Sequence, residues 1–259
     1  MITSTSSSQV KHVVSLQKKS KTRKECQEFV VEGMKLTAEA PKERVVKVYA
    51  SESFSRNNVD FLENFDTDKV ETVSDHVFLQ MSDTKTPQGV LAVVRMKNYQ
   101  LSDMLKTVPL LLIVENLQDP GNLGTLLRMG EGAGITGVVM SSGTVDIYNP
   151  KTIRSTMGSV YRVPFMYSED FEKTLTELKD NKVTLYAAHL EGKCDYTAGC
   201  YTKPSAFLIG NEANGLTDKT AKAADVLVRI PMEGQVESFN AAIAGTILTF
   251  EAVRQRRNG

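Results

Sequence analysis

The sequence predicts an α/β protein in two parts: a small α/β module over residues 1–97, and a larger domain over 108–259 built on a mainly parallel sheet. Three observations carry this expectation. Apolar runs alternate with helical patterns through the second part. Those runs are continuous, as in strands covered on both faces. Gly- and Asn-rich segments follow three of the strands, where an open α/β sheet presents its ligand crevice.

In the first part a helix is expected over 10–19, with Val13, Val14 and Leu16 inward, and residues 28–32 carry the short apolar run Phe29-Val30-Val31. Residues 33–40 read as helical and Pro41 ends them. Segments 45–50 and 69–73 read as short strands and 75–81 as a short helix. Residues 89–94 form a strong strand pattern, entered through the turn chemistry of Thr86-Pro87-Gln88-Gly89. Residues 98–107 are expected to be a linker with room for one helical turn.

Beyond it, strands are expected over 109–115, 135–140, 183–189, 206–209 and 226–230, and helices over 122–130, 169–180, 216–224 and 238–257. In the last helix Phe239, Ala242, Ile243, Ile247, Phe250 and Val253 fall on an apolar stripe, wide enough for a core or a partner subunit. Its end carries Arg254, Arg256 and Arg257, where cations complement the negative pole of the helix or meet nucleic acid.

Composition sets the outer limits. With 259 residues, 41% of them hydrophobic and 24% charged, the chain reads as globular and long enough for a core without disulfides or structural metal. No apolar run approaches the roughly 20 residues of a membrane helix. Residues 1–9 are polar and lack the apolar stretch of a secretory signal. Cys26, Cys194 and Cys200 stand at unrelated spacings, which fits reduced thiols and a cytoplasmic location. His12, His76 and His189 are scattered without metal-ligand spacing, so no metal is expected.

Basic and acidic residues number 31 each, so net charge favours no partner. Locally, Lys11, Lys18, Lys19, Lys21, Arg23 and Lys24 occur without an acidic residue among them. Such a run is either a solvated face or a surface that neutralises phosphates. Gly132, Gly134 and Gly137 match GxGxxG, but a helical pattern precedes them and a strand follows. The dinucleotide fingerprint needs the opposite order, which argues against a nicotinamide enzyme. Neither a P-loop nor a GxSxG elbow occurs.

The three strand-end segments hold the candidate chemistry. In the first, Asp119-Pro120-Gly121 turns the chain, Asn122 is placed to cap the following helix, and Arg128 lies six residues on. The second, 208–216, contains Gly210, Asn211 and Glu212. The third, 230–240, feeds the last helix. Asn122-Leu-Gly-Thr-Leu-Leu-Arg128, Leu208-Ile-Gly-Asn-Glu212 and Ile230-Pro-Met…Ser238-Phe-Asn240 resemble, in order and spacing, the three motifs of the SpoU (TrmH-like) RNA 2′-O-ribose methyltransferases of the SPOUT superfamily. Asp146-Ile-Tyr-Asn-Pro150, Arg154-Ser-Thr-Met-Gly158 and Phe250-Glu-Ala-Val-Arg-Gln-Arg256 add matching stretches. Phe29-Val-Val-Glu-Gly33 and Thr86-Pro-Gln-Gly-Val-Leu-Ala92 look, more weakly, like the L30e-like substrate-binding domain attached to many such enzymes.

The resemblance implies a trefoil-knotted α/β domain behind a small L30e-like domain. It implies S-adenosylmethionine as methyl donor, structured RNA as substrate with 23S ribosomal RNA ahead of transfer RNA, and a homodimer through the knot domain and the C-terminal helix. It places Arg128, Asn122, Glu212, Ser238 and Asn240 in the catalytic set. Leu190, Gly210, Asn211, Ile230, Met232 and Phe239 fall in the cofactor set, with Phe239 standing where Leu is usual. Lys18, Lys19, Lys21 and Arg23 are the implied RNA contacts. A guanidinium stays protonated, so Arg128 reads as a fixed cation that lowers the 2′-hydroxyl pKa and orients a phosphate, not as a base. The competing expectation is a non-catalytic RNA-binding or ribosome-assembly module.

Overall fold

The structure, a computed structural model describing residues 1–236 and 238–258, divides into two compact units. One comprises Met1–Lys97 together with Asp146–Tyr161; the other comprises Asn98–Val145 and Arg162–Gly259.

The first unit runs α1 (Ser8–Lys18), α2 (Ser20–Cys26), β1 (Glu28–Glu32), α3 (Met34–Ala38), β2 (Val45–Ser51), α4 (Glu52–Asn57), α5 (Val59–Leu62), β3 (Val70–Val73), α6 (Asp75–Met81) and β4 (Val90–Arg95). Its sheet has the order β1-β4-β2-β3, antiparallel except for the β2–β3 pair. Val10, Val13 and Leu16 of α1 and Val77, Phe78 and Met81 of α6 cluster with Val30, Tyr49 and Leu91. Ser51 and Ser74 cap α4 and α6 by accepting from Phe54 N and Val77 N.

The second unit contains α7 (Leu101–Met104), β5 (Leu110–Val114), α8 (Pro120–Ala133) and β6 (Gly137–Ser141). The chain then makes α9 (Pro150–Thr156), which belongs with the first unit. It returns as β7 (Phe165–Ser168), α10 (Phe171–Asp180), β8 (Thr184–Ala188), β9 (Cys194–Asp195), β10 (Ser205–Ile209), α11 (Asp218–Ala223), β11 (Val226–Arg229) and α12 (Ala241–Asn258). Seven parallel strands form one sheet in the order β7-β6-β5-β10-β8-β11-β9. β5, β6 and β10 are buried along their whole length, which is why their sequences are continuous apolar runs. β10 enters the sheet between β5 and β8, so the loops leaving β5 and β10 emerge side by side.

Several elements differ from expectation for identifiable reasons. The helical turn in residues 98–107 is α7, and its Leu101 and Met104 are buried in the core of the second unit. β7 and β9 are four and two residues long, too short for a visible period. α2 forms from a polar, basic segment with no apolar periodicity. α9 is announced only by its cap: Asn149 accepts from Lys151 N, and Pro150 occupies the first helical turn. The GxGxxG stretch is a helix end and strand start, with Gly134 left-handed at φ 72° beyond α8.

α12 packs on α8, and Gly245 is the point of closest approach: a Cβ there would stand 2.6 Å from Leu126. Its C-terminal arginines do more than complement the dipole. Arg254 pairs with Glu251 at 2.7 Å. Arg256 donates to the carbonyls of Tyr201, Lys203, Val108 and Pro109, buttressing the entries to β5 and β10.

Candidate functional site

The site is built where β5, β10 and β11 end. Beyond β5, Asp119 accepts from Asn122 N at 2.9 Å and caps α8. The cap is therefore Asp119, not Asn122, and this frees the Asn122 side chain. Asn122 Nδ2 donates to Glu212 at 3.0 Å, and its Oδ1 accepts from Asn240 Nδ2 at 2.9 Å. Asn240 Oδ1 in turn accepts from Ala242 N and Ile243 N and starts α12. One hydrogen-bonded chain thus joins residues from all three strand-end segments.

Glu212 is the acceptor at its centre. The backbone N–H groups of Gln118 and Asp119 also donate to its carboxylate, at 3.1 and 2.9 Å. Partial desolvation pushes its pKa up. The bonds from Asn122, Gln118 and Asp119 outweigh that and hold it below the usual carboxylate range. An ionised carboxylate with three donors on it positions loops and is a poor base.

The loop after β10 is a closed turn. Asn211 and Gly215 exchange backbone hydrogen bonds at 2.9 Å, and Asn211 Oδ1 accepts from Ala213 N and Asn214 N. Gly210 is required by this turn itself: a Cβ would collide with the backbone of Gly215 and Leu216.

A cavity of about 320 Å³ opens beside this turn. Leu190, Gly210, Asn211, Ile230, Met232 and Phe239, the expected cofactor set, all line it, with Glu212, Ser238, Ile209, Leu216 and Val228. The volume is that of a small-molecule site, and the walls are mostly apolar with polar groups along one loop. That suits an adenosyl group, whose flat base needs apolar walls and whose polar edges need backbone partners. Asn122 and Arg128 are not among the lining residues. Arg128 is exposed on α8 and has no ion pair or hydrogen bond among the described residues. No group of His, Cys, Asp and Glu among the described residues could hold a metal ion. No helix among them is long and apolar enough to cross a membrane.

The basic run divides. Lys18, Lys19, Lys21 and Lys24 are exposed. Arg23 is not the RNA contact expected of it: it is 3% exposed and bonds Asp146 at 2.6 Å and the carbonyls of Leu16 and Gln17 at 2.6 and 3.1 Å. Its fork closes the α1–α2 corner onto Asp146, so its charge is spent inside the protein.

Two residues in the first strand-end segment and the last residue of β6 escape sequence reasoning. Gln118 donates from Nε2 to the carbonyls of Asn116 and Gly143, at 3.0 and 2.7 Å. Asn116 is left-handed at φ 53°, and Ser141 bonds both its N–H and its Oδ1. The only signal was an Asn directly after a strand, a residue type that tolerates this backbone.

A parallel α/β sheet with a small-molecule cavity at its strand ends, and a carboxamide–carboxylate chain beside it, defines a ligand-binding enzyme fold of the open-sheet class. Residues 109–250 match the SpoU rRNA Methylase family, and residues 7–92 match the MRM3-like substrate binding domain. The chain belongs to the SpoU rRNA methylase family. It is 31% identical to the 23S rRNA (guanosine(2553)-2'-O)-methyltransferase RlmP of Bacillus subtilis, over 89% of this chain and 90% of that one. It is 35% identical to the 23S rRNA (guanosine-2'-O-)-methyltransferase RlmB of Xylella fastidiosa, over 65% and 71%. The crystal structure of the SpoU methyltransferase AviRb from Streptomyces viridochromogenes, in complex with the cofactor AdoMet, superposes with TM-score 0.87 at 26% identity, covering 98% of this chain and 100% of that one.

Proposed function

We propose that this protein transfers a methyl group from S-adenosylmethionine to a ribose 2′-hydroxyl of ribosomal RNA. The observation that carries this is the Glu212–Asn122–Asn240 chain, which locks the three motif segments together beside a cavity of small-molecule size. When bound, S-adenosylmethionine supplies an electrophilic methyl on a sulfonium. The apolar walls, Leu190, Ile230, Met232 and Phe239, hold the adenosyl part, and the 210–215 turn offers backbone groups to its polar edges.

The chain's own residues act mainly by positioning, which in well-oriented systems supplies up to roughly 7–11 kcal/mol of barrier reduction. Asn122 and Asn240 are held in one orientation by Glu212 and by the start of α12. Arg128, an exposed cation with no partner among the described residues, meets the RNA: it stabilises the 2′-oxygen as its proton leaves to phosphate or water, and clamps the adjacent phosphate bidentately. Ser238 lines the cavity two residues before Asn240. Lys18, Lys19 and Lys21 add sequence-independent phosphate contacts.

A second copy of the chain covers α12. Ile243 and Phe250, seven apart on α12, are 51% and 45% exposed, and Phe239 just before the helix is 38% exposed; together they offer an apolar strip for a homodimer. The setting is the cytoplasm. Calorimetry with S-adenosylmethionine tests the donor, with micromolar binding expected and none at millimolar ligand defeating the reading. Mapping 2′-O-methyl positions in ribosomal and transfer RNA, with and without the protein, tests the substrate. A site appearing only in transfer RNA would replace ribosomal RNA in this assignment.

A further inference from the structure

We propose that Asn116 is a positioning residue for methyl transfer: it sets the spacing between the loop that walls the cavity and the Asn122–Asn240 pair. This rests on the methyl-transfer reading above. Asn116 is the second residue past β5 and holds a left-handed backbone, φ 53°, which a side-chain-bearing residue adopts only against steric cost. Its N–H, its side-chain oxygen and its carbonyl are all engaged. Its N–H donates to Ser141 Oγ at 2.8 Å, and its Oδ1 accepts from that hydroxyl at 3.0 Å. Its carbonyl accepts from Asn211 Nδ2 at 2.8 Å and from Gln118 Nε2 at 3.0 Å.

Ser141 closes β6, Asn211 follows β10, and Gln118 precedes the cap of α8. One residue therefore ties together three neighbouring strand ends. Gly143 is kept small beside it, because a Cβ there would collide with Asn116 Oδ1. The left-handed backbone is what turns the carbonyl toward Asn211. Asn211 walls the cavity, and the residue after it, Glu212, holds Asn122. A displaced Asn116 carbonyl would shift the cavity wall against the catalytic carboxamides, and it would leave the contents of the wall unchanged.

The test compares the full chain with Asn116→Ala, Asn116→Gly and Ser141→Ala. It measures steady-state methyl transfer to a ribosomal RNA transcript, calorimetric S-adenosylmethionine binding and the thermal midpoint. Both Asn116 variants keep the N–H bond to Ser141 and lose the bond to Oδ1; alanine keeps the steric cost, and glycine adopts the left-handed backbone freely. For Asn116→Ala, kcat is expected to fall about 10- to 100-fold, the scale of a misplacement near 1 Å. Donor Kd and RNA KM are expected to stay within about twofold, the signature of a transition-state effect. Asn116→Gly is expected to recover most of kcat, and Ser141→Ala to fall between the two. A wild-type kcat in Asn116→Ala, donor binding lost in step with kcat, or no recovery in Asn116→Gly would each overturn the positioning role. A wild-type protein without methyl transfer would instead remove the reading on which the role rests.

Discussion

Asn122 and Glu212 meet at 3.0 Å across ninety positions of sequence, the amide donating to a carboxylate that also holds the Gln118 and Asp119 N–H groups. The pair explains why a glutamate belongs in the second segment. It organises the turn before α8 and fixes the Asn122 carboxamide, so that Asn122 Oδ1 faces Asn240. Removing the carboxylate frees three donors at once.

Glu212→Ala and Glu212→Gln are both expected to lower kcat on the order of tenfold or more, because each unlocks Asn122. Glutamine is no rescue: its amide hydrogens would face N–H donors. The stability term has a definite sign. Glu212 titrates below its ordinary range in the folded chain, so its contribution is present above the unfolded value of about 4.3 and fades as pH falls toward the folded value. The stability gap between wild type and Glu212→Gln, followed by denaturant titration, should be flat near neutrality and shrink in acid. It should also be small, because the side chain remains exposed to screening solvent. A gap that widened in acid would contradict the assignment.

Arg128→Ala should abolish most methyl transfer and leave S-adenosylmethionine binding intact. The residue lies outside the cavity lining and has no protein partner among the described residues. Its loss should move stability by no more than about 0.5 kcal/mol, as for a surface substitution. Calorimetry and radiolabelled transfer on the same preparation decide this. Full activity in the variant would remove Arg128 from the catalytic set.

Much of this site was legible because strand ends in a parallel sheet are punctuated by residues that leave a local trace. Asp119-Pro120-Gly121 and Gly210-Asn211 stand just beyond continuous apolar runs, and Ser238-Phe239-Asn240 stands just before α12. The cavity-lining set from Leu190 to Phe239 comes from the motif resemblance. Pairings over long sequence distance were not legible. Nothing near Arg23 indicates that Asp146 lies 2.6 Å away, and a basic run looks alike whether its members face solvent or a distant acid. Asn116 and Ser141 act through backbone groups, which composition does not report. Short edge strands such as β9 lack the length for any period.

The exposed lysines and the buried Arg23 should separate experimentally. Lys18→Ala, Lys19→Ala and Lys21→Ala are each expected to weaken RNA binding and reduce the slope of log K against log salt by about 1 where a phosphate contact is lost. Arg23→Ala should leave that slope unchanged and cost about 1–3 kcal/mol of stability, since Asp146, 18% exposed and still bonded by Ser20, would lose its charged partner. Filter binding across a salt series and thermal melts read the two effects. A lowered slope with an unchanged melt for Arg23→Ala would restore it as an RNA contact.

Gly210→Ala tests whether the turn after β10 is built for its own closure. The added methyl would stand against the backbone of Gly215 and Leu216, so no side-chain rotation relieves it. The turn must open, the Asn211–Gly215 hydrogen bonds must lengthen, and the cavity wall must move with them. Overpacking of this kind costs about 1–3 kcal/mol, and donor binding should weaken with it. Gly234→Ala is the control. It sits in the same crevice-forming part of the chain, but a Cβ there meets nothing within 4 Å, so it should melt like wild type. If Gly210→Ala bound S-adenosylmethionine and melted like Gly234→Ala, the steric account of the turn would be wrong. A glycine at 210 would then have to be explained by what approaches it from the cavity side.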